Sequence, residues 1–325
     1  MSAACEPILD KTNQQWCLYP IRHPDLFELY KNAVASFWTC EEVSLEKDRA
    51  HFETLDPKEQ HFIKIVLAFF AASDALVNEN LFQNFSTEVV YQESKLFYAF
   101  QSAIEGIHSE MYSLLIDTLI SDPREKDRLF NAITTIPVVQ KKAAWVTKWM
   151  EPDTNAFGRR LIAFAAAEGI MFSASFCAVY WLKKRGIMPG LCFSNELISK
   201  DEALHRDHAV MLHHKLQQPA SESDIHEIIG EAVAVETQFV QEALASNLLG
   251  INSGEMQQYV HFVADQLLLD LGVSKLYDAT NPFDWMVNLG LQGHTNFFEA
   301  RNSQYNKAGV GADGDEKEFS TDCDF

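Results

Sequence analysis

Two segments of the chain each place a glutamate and a histidine three residues apart, Glu105-Gly-Ile-His108 and Glu202-Ala-Leu-His205. One helical hairpin upstream of each lies a lone acid, Asp74 and then Glu168. On a helix, positions i and i+3 share a face, so each pair can present an oxygen and a nitrogen to one point. A single Glu-x-x-His pair carries little weight. The lone acids carry more, because Asp74 sits in LAFFAASDALVNENLF and Glu168 in LIAFAAAEGIMFSASF. Helices of that composition are buried nearly all round. A buried carboxylate without a partner is costly, so it either takes a proton or finds a cation. Few Lys or Arg residues are close in sequence. Four carboxylates and two neutral imidazoles would carry a charge that two divalent cations cancel. An oxygen-rich set with two His suits iron or manganese. The alternative is that these are core polar residues, each satisfied separately.

Such a set must be held by four helices, and the periodicity is helical almost throughout. It predicts helices near 25–37, 57–86, 91–121, 124–150, 155–184, 190–215, 221–249 and 254–275. Asp56-Pro57 opens the second and Asp122-Pro123 closes the third, while Met188-Pro189-Gly190 separates the fifth from the sixth. The spacing makes each half of the ligand set a helical hairpin. The order acid, Glu-x-x-His, acid, Glu-x-x-His is that of ferritin-like bundles with a dinuclear centre. The fold class expected is therefore all-α.

The chain has 325 residues, 47% of them hydrophobic, enough for one sizeable core. Its formal net charge of −20 argues against non-specific nucleic-acid binding. No uninterrupted apolar run has the length of a bilayer span, and the N-terminal residues lack the pattern of a signal peptide. Six cysteines occur without a C-x-x-C pair, which fits reduced thiols in a cytoplasmic protein. No Gly-rich phosphate-cradling loop is evident. The segment GADGDEKEFSTDCDF, residues 311–325, is too acidic and Gly-rich to build a core. It reads as an inert tail or as a docking peptide whose Phe319 and Phe325 fill pockets on a partner.

The segment EGIHSEMY (105–112) adds Tyr112 one turn beyond His108. With FFAASDALVNENL (69–81), AAAEGIMFSASF (165–176), ISKDEALH (198–205), NPFDWM (281–286) and TNFFEAR (295–301), the chain resembles the small, radical-generating subunit of class I ribonucleotide reductase. The resemblance runs from about residue 15 to Phe325. SFWTCEEVSLEKD (36–48) and the ending FSTDCDF place it nearest the eukaryotic and large-DNA-virus branch.

That resemblance implies a specific assignment. Asp74, Glu105, His108, Glu168, Glu202 and His205 would bind two iron ions, with manganese as the alternative. Tyr112 would be oxidised to a stable radical, walled off by Phe172, Phe176 and Ile198. Trp38, Asp201 and His108 would begin a path along which the oxidising equivalent leaves. Tyr305 would relay it to a large catalytic subunit that the C-terminal tail docks. The resemblance also implies a homodimer without nucleic-acid or membrane partners. Residues 1–20 would be a flexible segment, 21–300 the diiron domain and 301–325 the tail. One departure is Lys200, where many relatives carry Arg. It keeps the charge and loses the planar fork. Tyr at position 112 and Asp at 74 speak against variants that dispense with the radical tyrosine. A diiron hydroxylase or ferroxidase on the same scaffold, and a non-catalytic scaffold protein, are the rival readings.

Overall fold

The computed structural model describes residues 6–152, 154–243 and 253–283. Tyr305, Phe319, Phe325 and the tail they belong to lie outside the described residues, as do Cys5 and Cys323. Among the described residues there is no strand. The chain runs through α1 (Pro24–Ala35), α2 (Asp48–Thr54), α3 (Pro57–Glu88), α4 (Gln92–Leu119), α5 (Pro123–Phe130), α6 (Ala132–Thr135) and α7 (Pro137–Met150). It continues through α8 (Phe157–Lys184), α9 (Pro189–His214), α10 (Glu222–Ala243) and α11 (Ser253–Asp270). The all-α expectation holds.

Local chemistry explains the boundaries. At α3, Asp56 accepts hydrogen bonds from the Lys58 and Glu59 N–H groups while Glu59 reaches back to the Asp56 N–H, with Pro57 at the first position. At α5, Asp122 accepts the Arg124 N–H with Pro123 at the first position, without the reciprocal bond. The single helix expected over 124–150 is instead three: it breaks at Asn131, whose backbone leaves the helical region, and again where Pro137, with no N–H to continue a helix, starts α7. Gly272, at φ +77°, stops α11 a few residues earlier than expected. The short α2, absent from the sequence reading, has a definite task. Its Asp48 carboxylate accepts the Gly190 and Leu191 N–H groups at 2.9 and 2.7 Å and so caps α9 from across the fold. Gly190 is required there, since a Cβ would lie 2.4 Å from the Ser44 carbonyl oxygen.

Both long core helices contain a π-helical turn, Leu81–Phe85 in α3 and Ala167–Met171 in α8. By length and mean hydropathy alone, α3 and α8 would each pass for a membrane span, although Asp74 and Glu168 interrupt their apolar runs. Their apolar faces are covered by other helices, that of α8 almost completely and that of α3 for the greater part. At the N-terminal side, Ile8 is buried, its carbonyl accepts the Val90 N–H, and Glu6 accepts the Gln217 and Gln218 N–H groups. Helix α3 packs on α4, and α8 on α9, which makes the two hairpins that the ligand spacing implied.

Candidate metal centre

Asp74 lies on α3, Glu105 and His108 on α4, Glu168 on α8, and Glu202 and His205 on α9. All six side chains are buried. Glu105, Glu168, Glu202 and His205 each offer a ligand atom within 4.8 Å of the others, and Asp74, Glu105 and His108 do the same. Glu105 belongs to both sets. Its Oε1 is 3.0 Å from His205 Nδ1 and its Oε2 is 3.3 Å from His108 Nδ1. Glu202 spans the same two rings, with Oε1 3.1 Å from His108 Nδ1 and Oε2 3.1 Å from His205 Nδ1. Two carboxylates therefore stretch between two imidazoles, with Asp74 at one end and Glu168 at the other.

The donor set fits a pair of cations. Neither oxygen of Asp74 has a hydrogen-bond partner among the described residues, although the side chain is only 1% exposed. No protein donor compensates that carboxylate by a hydrogen bond. Burial, then the charge of Glu105, drives the Asp74 carboxyl far above its usual range. Burial, then Glu202, does the same to Glu168. At Glu202, burial is outweighed by His205 and by hydrogen bonds to both histidines, so this acid stays ionised. Burial also disfavours a charged ring at His205, but Glu202 and Glu105 raise it to about 9. Such a site calls for positive charge, and the cluster can hold metal ions.

The surroundings of the cluster are ordered by further contacts. His108 turns Nδ1 toward the cluster and Nε2 toward Asp201 Oδ2, 3.0 Å away. The same oxygen accepts the Trp38 indole N–H at 2.8 Å, and the two rings stack with centroids 6.0 Å apart. Trp38 and Asp201 are both buried. A carboxylate behind the imidazole fixes its tautomer and orientation. Lys200 is exposed, on the outer face of α9.

Tyr112 is 2% exposed, and its hydroxyl has no hydrogen-bond partner among the described residues. Phe70 lies flat against it, with centroids 4.6 Å apart and planes at 14°. Phe172 and Phe176 stack behind Phe70 at 5.8 and 5.1 Å. Ile198 is buried on α9 one turn before Glu202. Burial, then the charge of Asp74, pushes the phenol well above its ordinary pKa, so it is held protonated.

Several residues at the site escaped sequence reasoning. Gln101 donates to Glu168 Oε1 at 3.2 Å, and its position one turn before Glu105 on the same face of α4 was the signal. Ser36 lies 3.4 Å from Asp201 Oδ1. Phe70, nearest of the three rings to Tyr112, is only four residues before Asp74. Among the described residues the four cysteines are free thiols.

The comparisons with known proteins agree with this geometry. The family model described as "Ribonucleotide reductase, small chain" matches residues 15–282. The ribonucleoside-diphosphate reductase small chain of Spisula solidissima is 54% identical, over 100% of this chain and 85% of that one. The small chain of Vaccinia virus (strain Western Reserve) is 53% identical, over 98% of this chain and 100% of that one. In three dimensions, the ribonucleotide reductase Rnr4 homodimer of Saccharomyces cerevisiae matches with a TM-score of 0.79 at 35% identity, covering 93% of each chain. This chain belongs to the ribonucleotide reductase small-chain family and is the small subunit of a ribonucleoside-diphosphate reductase.

Proposed function

We propose that the buried cluster binds two iron ions and that Tyr112 stores the oxidising equivalent generated there as a neutral radical. The supporting observation is the phenol itself, buried, without a hydrogen-bond partner, stacked on Phe70 and under the charge of Asp74. Asp74, Glu105, His108, Glu168, Glu202 and His205 are the ligands in this reading. Iron bound by them would supply the reduction of dioxygen and hence the oxidising power. The protein's own contributions are distinct. Phe70, Phe172 and Phe176 keep water and reductants from the ring, and Ile198 extends that apolar surround. On oxidation the phenol would give its electron and its proton to the loaded cluster, where reduction of dioxygen consumes both; of the acids there, Asp74 acts on the phenol most strongly.

Trp38, Asp201 and His108 form the route by which the oxidising equivalent leaves. A shared carboxylate oxygen lets a proton shift along the contacts as an electron crosses them. The route continues to the large catalytic subunit through Tyr305, and the tail from 301 to 325 docks that subunit with Phe319 and Phe325. The yeast relative is a homodimer, and we extend that arrangement to this chain, which acts in the cytoplasm. Manganese is the alternative metal for the same oxygen-rich ligands. Mixing the iron- and oxygen-treated protein with a large subunit and a ribonucleoside diphosphate tests the reading. Deoxyribonucleoside diphosphate should form, and none should form without prior metal loading. Equal product from metal-free protein would overturn it.

A further inference from the structure

Behind the cluster lies a second buried charge pair with no role in the account above. The Lys142 side chain of α7 is 1% exposed and forms an ion pair with the fully buried Glu236 of α10. Its ammonium is sandwiched between the Phe69 and Phe239 rings, 3.6 and 3.7 Å from their centroids. It also donates to the Met171 carbonyl oxygen at 2.7 Å. Met171 is the last residue of the π-helical turn Ala167–Met171, the turn that carries Glu168. The partner acid grips the next residues, since Glu236 Oε1 accepts the Ala174 N–H at 3.3 Å.

A buried ion pair is a poor device for stability alone. Desolvation consumes most of its attraction, and a well-packed apolar pair often serves as well. Its geometry is specific, however. A π-helical turn breaks the regular ladder and leaves carbonyls that need other donors. Lys142 supplies one at the point where the turn ends and Phe172 begins. Phe172 stacks on Phe70, which lies on Tyr112. Phe69 packs on Phe172 and Phe239 as well as on the ammonium.

We propose that Lys142, held by Glu236, is a positioning residue that fixes the turn carrying Glu168, and so sets the placement of that carboxylate in the cluster and of Phe172 in the wall around Tyr112. This rests on the reading of the cluster as a two-ion site. The test is anaerobic ferrous-ion binding, measured by calorimetry on the full chain. Lys142→Met with Glu236→Leu removes the donor without stranding a charge, whereas Lys142→Gln with Glu236→Gln keeps a donor for Met171. The wild type should bind two ions. The apolar pair should keep its thermal transition but bind the second ion at least tenfold more weakly, and the glutamine pair should recover that affinity. Wild-type affinity in the apolar pair, or an equal loss in the glutamine pair, would overturn the positioning role. Should the apolar pair fail to fold, loss of the second ion from a folded glutamine pair would still overturn it. Fewer than two ions in the wild type would instead remove the two-ion site on which the proposal stands.

Discussion

Trp38 and Asp201, 163 residues apart in sequence, are joined inside the protein by an indole N–H to carboxylate bond of 2.8 Å. The oxygen that accepts it also faces His108 Nε2 at 3.0 Å. A residue on the segment after α1 is thereby connected to a candidate ligand on α4 through an acid on α9.

Substituting Trp38→Phe removes the donor and leaves a smaller aromatic ring. Ferrous-ion stoichiometry should be unchanged. Deoxynucleotide formation with the large subunit should fall at least about a hundredfold, equivalent to ~3 kcal/mol of barrier. Unaffected turnover would remove Trp38 from the route.

Asp201→Ala takes away the acid that orients His108. Metal affinity should drop roughly 10- to 100-fold, as for other carboxylates behind a ligating imidazole. Binding isotherms check this, and an affinity equal to the wild type would show that His108 needs no support.

The pH dependence follows from the proton load of the site. Against the opposing effect of burial, Glu202 and Glu105 raise His205 from 6.5 to about 9, and burial raises Asp74 and Glu168. Metal ions must displace those protons, so apparent affinity should climb from pH 6.5 toward 9 with measurable proton release. In the metal-free chain the sign is opposite. The His205 proton stabilises the fold fully below pH 6.5, and that contribution disappears as pH rises through about 9. Calorimetry in buffers of different ionisation enthalpy measures the release, and a flat affinity across this window would contradict the assignment.

Asp48→Ala deprives α9 of its cap by stranding the Gly190 and Leu191 N–H groups. Each bond to a charged acceptor contributes ~1.5–3 kcal/mol at most, so a loss of about 3 kcal/mol in total is expected. Circular dichroism should show the thermal midpoint lowered by roughly 5–10 °C. An unchanged midpoint would mean that water replaces the carboxylate.

The clustering of the six acids and histidines, and the helices that carry them, were legible because both rest on local rules. Glu-x-x-His fixes a shared face, and acids such as Asp74 and Glu168 stand out against apolar flanks. The contacts that organise the site were not legible, because they join distant segments. Lys142 in QKKAAW looks like one more surface lysine until Glu236 and the Met171 carbonyl are brought to it. Asp48 in SLEKD looks like one more surface acid, and only the fold shows that it caps α9. The break of 124–150 was foreseeable, since Pro137 stands in the middle of the expected helix.

The central claim is that oxidation of one buried phenol depends on the six-ligand cluster beside it. Spin resonance and metal analysis on protein reconstituted with ferrous iron and oxygen test it most directly, with Tyr112→Phe prepared in parallel. The account expects two iron ions per chain in both proteins and a sharp organic radical signal in the wild type alone. The same signal in Tyr112→Phe, or no signal from a wild type carrying its full iron, would contradict it.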